Sequence, residues 1–171
     1  MPRRRVLTVA QIEALLTLPM AETDLIRHYT LSPADLAVIA RRQRPHNRLG
    51  FAIQLCALRF PGRLLRPGEV VPREVLAFVA GQLDVDPDAL AAYAVRSPTR
   101  YDQLEALRAT YGFRTVTQPD QREMAKWLLP VAQVTTKGVT LASLLLVELR
   151  RRAIAAPGPS ATRLDWTSLT P

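Results

Sequence analysis

Apolar residues along the chain recur at the three- and four-residue spacing of helices. Near the C-terminus, for example, Leu141, Leu144, Leu145 and Leu149 fall on one helical face. Helix-start signals precede such segments, among them Thr8-x-x-Gln11 and Thr117-x-x-Asp120. Only residues 113–117 suggest a strand. The pattern therefore predicts a compact, all-α, multi-helix fold.

The most apolar helix is predicted in the middle of the stretch from 31 to 65. Ser32 and Pro33 begin a first helix, and Pro45 breaks it. A second helix is expected to begin near residues 46–48 and to stop at Pro61-Gly62. Because the second helix is apolar on almost every side, neighbouring helices must cover it. We therefore predict a helix-turn-helix-like pair at residues 33–60, with its second helix at the centre of the domain.

A proline-glycine connection, RPGEVVP at residues 66–72, marks a candidate subdomain boundary. It predicts three parts: a basic helical subdomain at 1–66, for which the charge distribution below indicates the partner, a helical subdomain packed on it at 67–156, and a linker-like tail at 157–171. In the tail, Leu164 and Trp166 predict a short helix that docks back on the domain.

Positive charge is concentrated in the first part of the chain. The protein has 23 basic and 15 acidic residues, a formal net charge of +8. Residues 1–66 contain 11 arginines and four acids, a net of +7, whereas residues 67–171 have a net of +1. A localised excess of arginine favours a polyanionic partner, most often nucleic acid. The alternative is a solvated basic surface that binds nothing.

Catalysis finds little support in the sequence. His28 and His46 are far apart and have no carboxylate cluster at metal-ligand spacing, so we expect no catalytic residue, metal or cofactor. The single cysteine, Cys56, is expected to be a buried apolar residue in a reducing cytoplasm. Residues 1–18 do not read as a signal peptide, and the apolar run 141–147 is too short to span a membrane. The sequence thus predicts a cytoplasmic protein without a membrane partner.

Two strings carry a resemblance to a known family. Residues 31–63, LSPADLAVIARRQRPHNRLGFAIQLCALRFPGR, resemble the N-terminal domain of replicative transposases of the Tn-three family, the class II transposons that form cointegrates. HNRLGFAIQLC, at 46–56, is the most specific part. The likeness continues through 71–114 and more weakly to about residue 152. One departure is Asp102-Gln103, where such proteins commonly have Glu-His.

This resemblance implies a DNA-binding module that recognises the terminal inverted repeats of a bacterial mobile element. In the family, the RNase H-like catalytic domain lies far downstream, so we expect this chain to bind double-stranded DNA at transposon ends without cutting it. The rest of a transposase chain or a second copy are further candidate partners. Two alternatives remain: a small standalone regulator of transposition that binds DNA, and a protein-interaction module whose arginines are only solvated.

Candidate DNA contacts lie before and after the central helix. Guanidinium groups beside a helix N-terminus suit phosphate, because the free backbone N–H groups and the helix dipole add to them. We predict a DNA-facing group, here called the junction cluster: Arg41, Arg42, Arg44, His46, Asn47 and Arg48. Arg3, Arg4 and Arg5 are predicted to form an arm, and Arg59 and Arg63 to be flanking phosphate contacts. Two structural alternatives stay open: Asn47 caps the central helix, and Arg48 pairs with Asp35 or Glu74.

Overall fold

The computed structural model describes residues 7–93 and 97–157 of the chain. The described helices are α1 (Val9–Leu16), α2 (Glu22–Tyr29), α3 (Pro33–Ala40), α4 (Pro45–Arg59), α5 (Arg73–Leu83), a 3₁₀ helix (Pro87–Ala92), α6 (Ser97–Tyr111), α7 (Gln118–Val134) and α8 (Gly138–Arg151). Two short strands complete the fold: β1 (Arg114–Thr115) and β2 (Ile154–Ala155). The predicted all-α class is confirmed, as is the helix pair at 33–60.

Three helices begin at capping boxes, because each N-cap hydroxyl accepts a hydrogen bond from the backbone N–H three residues on. The N-caps are Thr8 for α1, Ser32 for α3 and Thr117 for α7. In each box the side chain three residues after the N-cap in turn accepts a hydrogen bond from the backbone N–H of the N-cap. The start signals of these three helices were therefore predicted correctly.

Some helix boundaries were not predicted. Helix α3 ends at Ala40, before Pro45, which was expected to break it, and Pro45 is itself the first residue of α4, where a missing N–H costs no hydrogen bond. Helix α6 begins at Ser97. Helix α7 contains Pro130 and continues beyond it to Val134.

Helix α4 lies at the centre of the fold, as its composition predicts. Every residue from Leu49 to Leu58 is buried. Helices α2, α3, α5 and α6 and the 3₁₀ helix pack around it. Gly50 allows the closest of these contacts, since a Cβ at this position would lie 2.1 Å from the ring of Tyr93. Covering α4 on all sides removes its body from any role as an exposed recognition helix.

Two apolar clusters form the interior. The larger surrounds α4 and includes Leu25 as well as Val75 and Leu107. The smaller joins Leu16 of α1 to Leu145 of α8 and to other residues of α7, α8 and β2. Each cluster thus contains residues from both sides of the 66–72 connection. Apolar packing is shared across that connection, and the predicted boundary stays a prediction.

A small parallel sheet connects distant parts of the chain. Arg114 lies opposite Ile154, and Thr115 lies opposite Ala155. A further parallel bridge joins Arg63 to Ala156, whose N–H donates to the carbonyl of Gly62 at 2.7 Å. The strand suggested at 113–117 is confirmed as the two-residue β1. The predicted tail helix, with Leu164 and Trp166, lies outside the described residues.

Candidate nucleic-acid interface

The six residues of the junction cluster lie together where α3 ends and α4 begins. Arg41, Arg42 and Arg44 belong to the short turn between the helices, and His46, Asn47 and Arg48 belong to the first turn of α4. The N-cap of α4 is Arg44, which makes no side-chain capping bond. The first backbone N–H groups of this 15-residue helix therefore lie among the arginines. The positive end of the helix dipole adds to the positive charge of the guanidinium groups there.

The arginines of the junction cluster have no carboxylate partner among the described residues. Arg41 and Arg44 are exposed, while Arg42 and Arg48 are partly buried. None of these four arginines forms an ion pair with any described acidic residue, and the first turn of α4 contains no acid. Their four positive charges are thus available to a ligand.

Three of the five buried side-chain polar atoms that lack a hydrogen bond among the described residues belong to the junction cluster. The Nε of Arg42, the Oδ1 of Asn47 and the Nε of Arg48 are buried and accept or donate no hydrogen bond within the described protein. Each buried polar atom left without a partner costs about 1–3 kcal/mol, so an arrangement of three needs an explanation. Part of it is Phe51 of α4, whose ring centroid lies 4.4 Å from the guanidinium carbon of Arg42. The sequence gives no sign of this contact, because no spacing rule connects Phe51 with a turn residue nine positions earlier.

The two structural alternatives for Asn47 and Arg48 are not observed. Asn47 is the third residue of α4 and not its N-cap. Arg48 pairs with neither Asp35 nor Glu74, since Asp35 is occupied by Arg59. Both side chains therefore stay available for the proposed interface.

The predicted flanking contact Arg59 lies at the other end of α4 and is paired. It donates from NH1 and NH2 to the two oxygens of Asp35 at 2.9 and 2.8 Å. Tyr111 of α6 donates to the same carboxylate at 3.0 Å. Burial alone would raise the pKa of Asp35, but the hydrogen bonds from Arg59 and Ser32 outweigh it and lower the pKa. This arrangement joins α3, α4 and α6.

Arg63, the other predicted flanking contact, is buried and only 4% exposed. Its Nε donates to the carbonyl of Leu16 at 2.7 Å, and its NH1 and NH2 donate to Glu69 at 2.9 and 2.6 Å. Such an arginine reaches a phosphate only by giving up a buried ion pair. The placement of Arg59 and Arg63 is that of structural cross-links, and we leave both out of the interface proposed below. The arm residues Arg3, Arg4 and Arg5 lie outside the described residues.

Two of the three arginines at the end of α8 are also paired with a carboxylate. Arg151 and Arg152 both donate to Glu148, and their hydrogen bonds lower the pKa of that carboxyl to about 2. Arg150 lies over the ring of Phe60 at 5.1 Å and donates to the carbonyl of Pro61. Paired arginines thus occur at several places in the fold, whereas those of the junction cluster are unpaired.

Comparison with known proteins defines the class. A family model described as "Domain of unknown function (DUF4158)" matches residues 6–163, and the chain belongs to this family. The chain is 43% identical over 161 residues to the transposase for transposon Tn21 of Escherichia coli, and 38% identical over 160 residues to the transposase for transposon Tn501 of Pseudomonas aeruginosa. Each match covers 94% of this chain and 16% of the relative.

A more distant relative, the transposase for transposon Tn1546 of Enterococcus faecium, is 32% identical over 164 residues, 95% of this chain and 17% of the relative. The chain thus spans about one sixth of the length of the curated relatives it matches. The predicted resemblance to the N-terminal region of Tn-three family transposases is confirmed.

No described helix has both the length and the apolar character needed to cross a membrane. Within residues 7–93 and 97–157, no three His, Cys, Asp or Glu side chains come together as a metal site.

Proposed function

We propose that this chain is the non-catalytic, DNA-binding part of a replicative transposase and that it recognises the terminal inverted repeats of a transposon. The observation that carries the proposal is the absence of any described carboxylate partner for Arg41, Arg42, Arg44 and Arg48. Unpaired guanidinium groups at a helix N-terminus suit the phosphates of duplex DNA. The relatives are transposases, and this supports double-stranded DNA as the partner.

Burial of α4 limits how DNA approaches. Residues 49–58 are covered, so α4 presents only its first turn and DNA meets it end-on. In this arrangement the exposed Arg41 and Arg44 contact phosphates and set the position of the domain on the duplex. Asn47 and Arg48 are the candidates for base edges, because amide and guanidinium groups make paired hydrogen bonds to purines in the major groove.

A second candidate function is a protein-interaction module, with the rest of a transposase chain or a second copy as partner. Exposed apolar side chains after residue 67 favour it: Val134 of α7 is 88% exposed, and Val147 and Leu144 of α8 are 51% and 37% exposed. Leu144 and Val147 are three residues apart and share a helix face. Exposed apolar surface of this kind marks interaction sites when it is contiguous.

Salt-dependent binding tests the DNA proposal. A labelled inverted-repeat duplex and a scrambled duplex are titrated with the protein at several salt concentrations. Arg41→Ala and Arg44→Ala are each expected to weaken binding to both duplexes and to lower the salt slope by about one, because each removes one phosphate contact. Asn47→Ala is expected to reduce the difference in affinity between the inverted-repeat and the scrambled duplex, with a smaller effect on the salt slope.

Arg122 supplies a matched control. It is an exposed arginine of α7 without an ion pair to any described acid, so Arg122→Ala removes the same charge at a different surface. Its slope should equal that of the unsubstituted protein. An unchanged slope for all four arginines of the junction cluster would refute the proposed interface, and no affinity for either duplex at low salt would favour the protein-interaction function.

A further inference from the structure

An apolar groove of about 860 Å³ lies on the side of α4, between residues 65–71, the 3₁₀ helix and α6. Its apolar lining includes Leu65, Val70, Leu76, Leu90, Tyr101 and Leu104. Val70 is 90% exposed and Tyr101 is 65% exposed. Large apolar side chains concentrated around an open groove indicate that another segment or molecule covers them.

The last described residues run alongside the segment that leads into this groove. Ala156 forms a parallel bridge with Arg63, so residues 156–157 run in the same direction as residues 63–64. The residues after Arg63 include Leu65 and Arg66, which line the groove. Pro157, the last described residue, is buried against the domain.

We propose that residues 158–171 dock into this groove, with Trp166 as the main anchor. The segment GPSATRLDWTSLTP contains three large apolar residues, Leu164, Trp166 and Leu169. Trp166 is nine residues beyond Pro157, a span of at most about 30 Å in extended chain, which is ample for a groove that begins beside the exit point. Arg163 of the segment is opposite in charge to Asp88 of the groove. This inference does not depend on DNA binding.

Tryptophan fluorescence of the full chain tests the proposal. The protein has two tryptophans, and Trp127→Phe leaves Trp166 as the only one. In this background, docking predicts emission at shorter wavelength than that of the unfolded protein in urea, and weak quenching by acrylamide. Emission and quenching equal to those of the unfolded chain would overturn the proposal.

Two valines provide matched variants. Val70 in the groove and Val134 in α7 are 90% and 88% exposed, so Asp at either position is compatible with folding of the domain. Val70→Asp is expected to move Trp166 emission to longer wavelength and to increase quenching, because a charge in the groove opposes burial of an indole. Val134→Asp is expected to change neither. Tyr101→Ser provides a second groove variant. Emission that responds to neither groove variant would overturn the proposal, since Trp166 would then be covered elsewhere.

Sedimentation velocity separates docking within one chain from occupation by a second copy. Docking within the chain predicts a monomer whose Trp166 emission is independent of protein concentration. A dimer whose formation coincides with the change in emission would overturn the proposal and assign the groove to a neighbouring copy.

Discussion

Arg59→Ala gives the strongest test of the division between paired and unpaired arginines. The substitution removes both hydrogen bonds from Arg59 to Asp35 and leaves a carboxylate that is 2% exposed. The remaining partners of that carboxylate are the N–H of Ser32 at 2.9 Å and the hydroxyl of Tyr111 at 3.0 Å. Removing one partner of a fully buried ion pair costs about 3–5 kcal/mol.

The expected loss is smaller than that, because a third of the Arg59 side chain is exposed and water screens the pair. We expect Arg59→Ala to lower the free energy of unfolding by about 2–3 kcal/mol. At about 2–4 °C per kcal/mol for a chain of this size, Tm falls by about 4–12 °C. Asp35→Asn should cost less, because the freed guanidinium can turn to solvent whereas the freed carboxylate cannot.

Urea unfolding followed by circular dichroism measures the loss, and DNA titration across salt concentrations measures the slope. Arg44→Ala is the control: an exposed and unpaired arginine should change stability by no more than about 0.5 kcal/mol. The assignment of Arg59 to a structural ion pair would be refuted if Arg59→Ala left stability unchanged and lowered the salt slope by about one, since Arg59 would then contact phosphate.

Three further outcomes are expected. Gly50→Ala should lower the free energy of unfolding by about 1–3 kcal/mol in urea titration, since its Cβ overlaps the Tyr93 ring, whereas Gly81→Ala, with no atom within 4 Å, should raise it by about 0.4–1 kcal/mol. The pKa values of Asp35, despite its burial, and of Asp120, hydrogen-bonded by Arg114, are lowered in the folded state. The two carboxylates therefore contribute fully to the free energy of unfolding above the unfolded pKa of about 4, and this contribution is lost as pH falls below it. In acid titrations, the free energy of unfolding of Asp120→Asn should decrease less steeply with falling pH. Burial raises the pKa of Cys56 to about 12, so a thiol reagent at neutral pH should label it only after unfolding in urea; rapid labelling of the native protein would contradict this.

Local signals explain why most helices were predictable. Each capping box, at Thr8, Ser32 and Thr117, involves only four consecutive residues. The prolines at the first turns of helices are likewise recognisable from the neighbouring sequence. The central position of α4 followed from a stretch without polar faces. The place of the junction cluster also followed from local sequence, because the cluster lies in one turn and the first turn of one helix.

Contacts between distant residues were not predictable. Arg59 and Arg63 were grouped with the DNA contacts, since nothing near them in sequence shows that Asp35, 24 residues away, reaches Arg59. Strand β2 has two residues, too few to show alternation, and its partner β1 lies about forty residues earlier. The helix Pro87–Ala92 is a 3₁₀ helix, and the spacing of apolar residues does not distinguish a 3₁₀ helix from an α-helix over six residues.

The parallel bridge between Arg63 and Ala156 has a consequence for synthesis on the ribosome. Ile154, Ala155 and Ala156 belong to the interior, and Ala156 closes a backbone bond to Gly62, which is translated more than ninety residues earlier. A nascent chain from which these residues have not yet emerged lacks part of both apolar clusters. Completion of the domain therefore waits for its final strand to leave the exit tunnel.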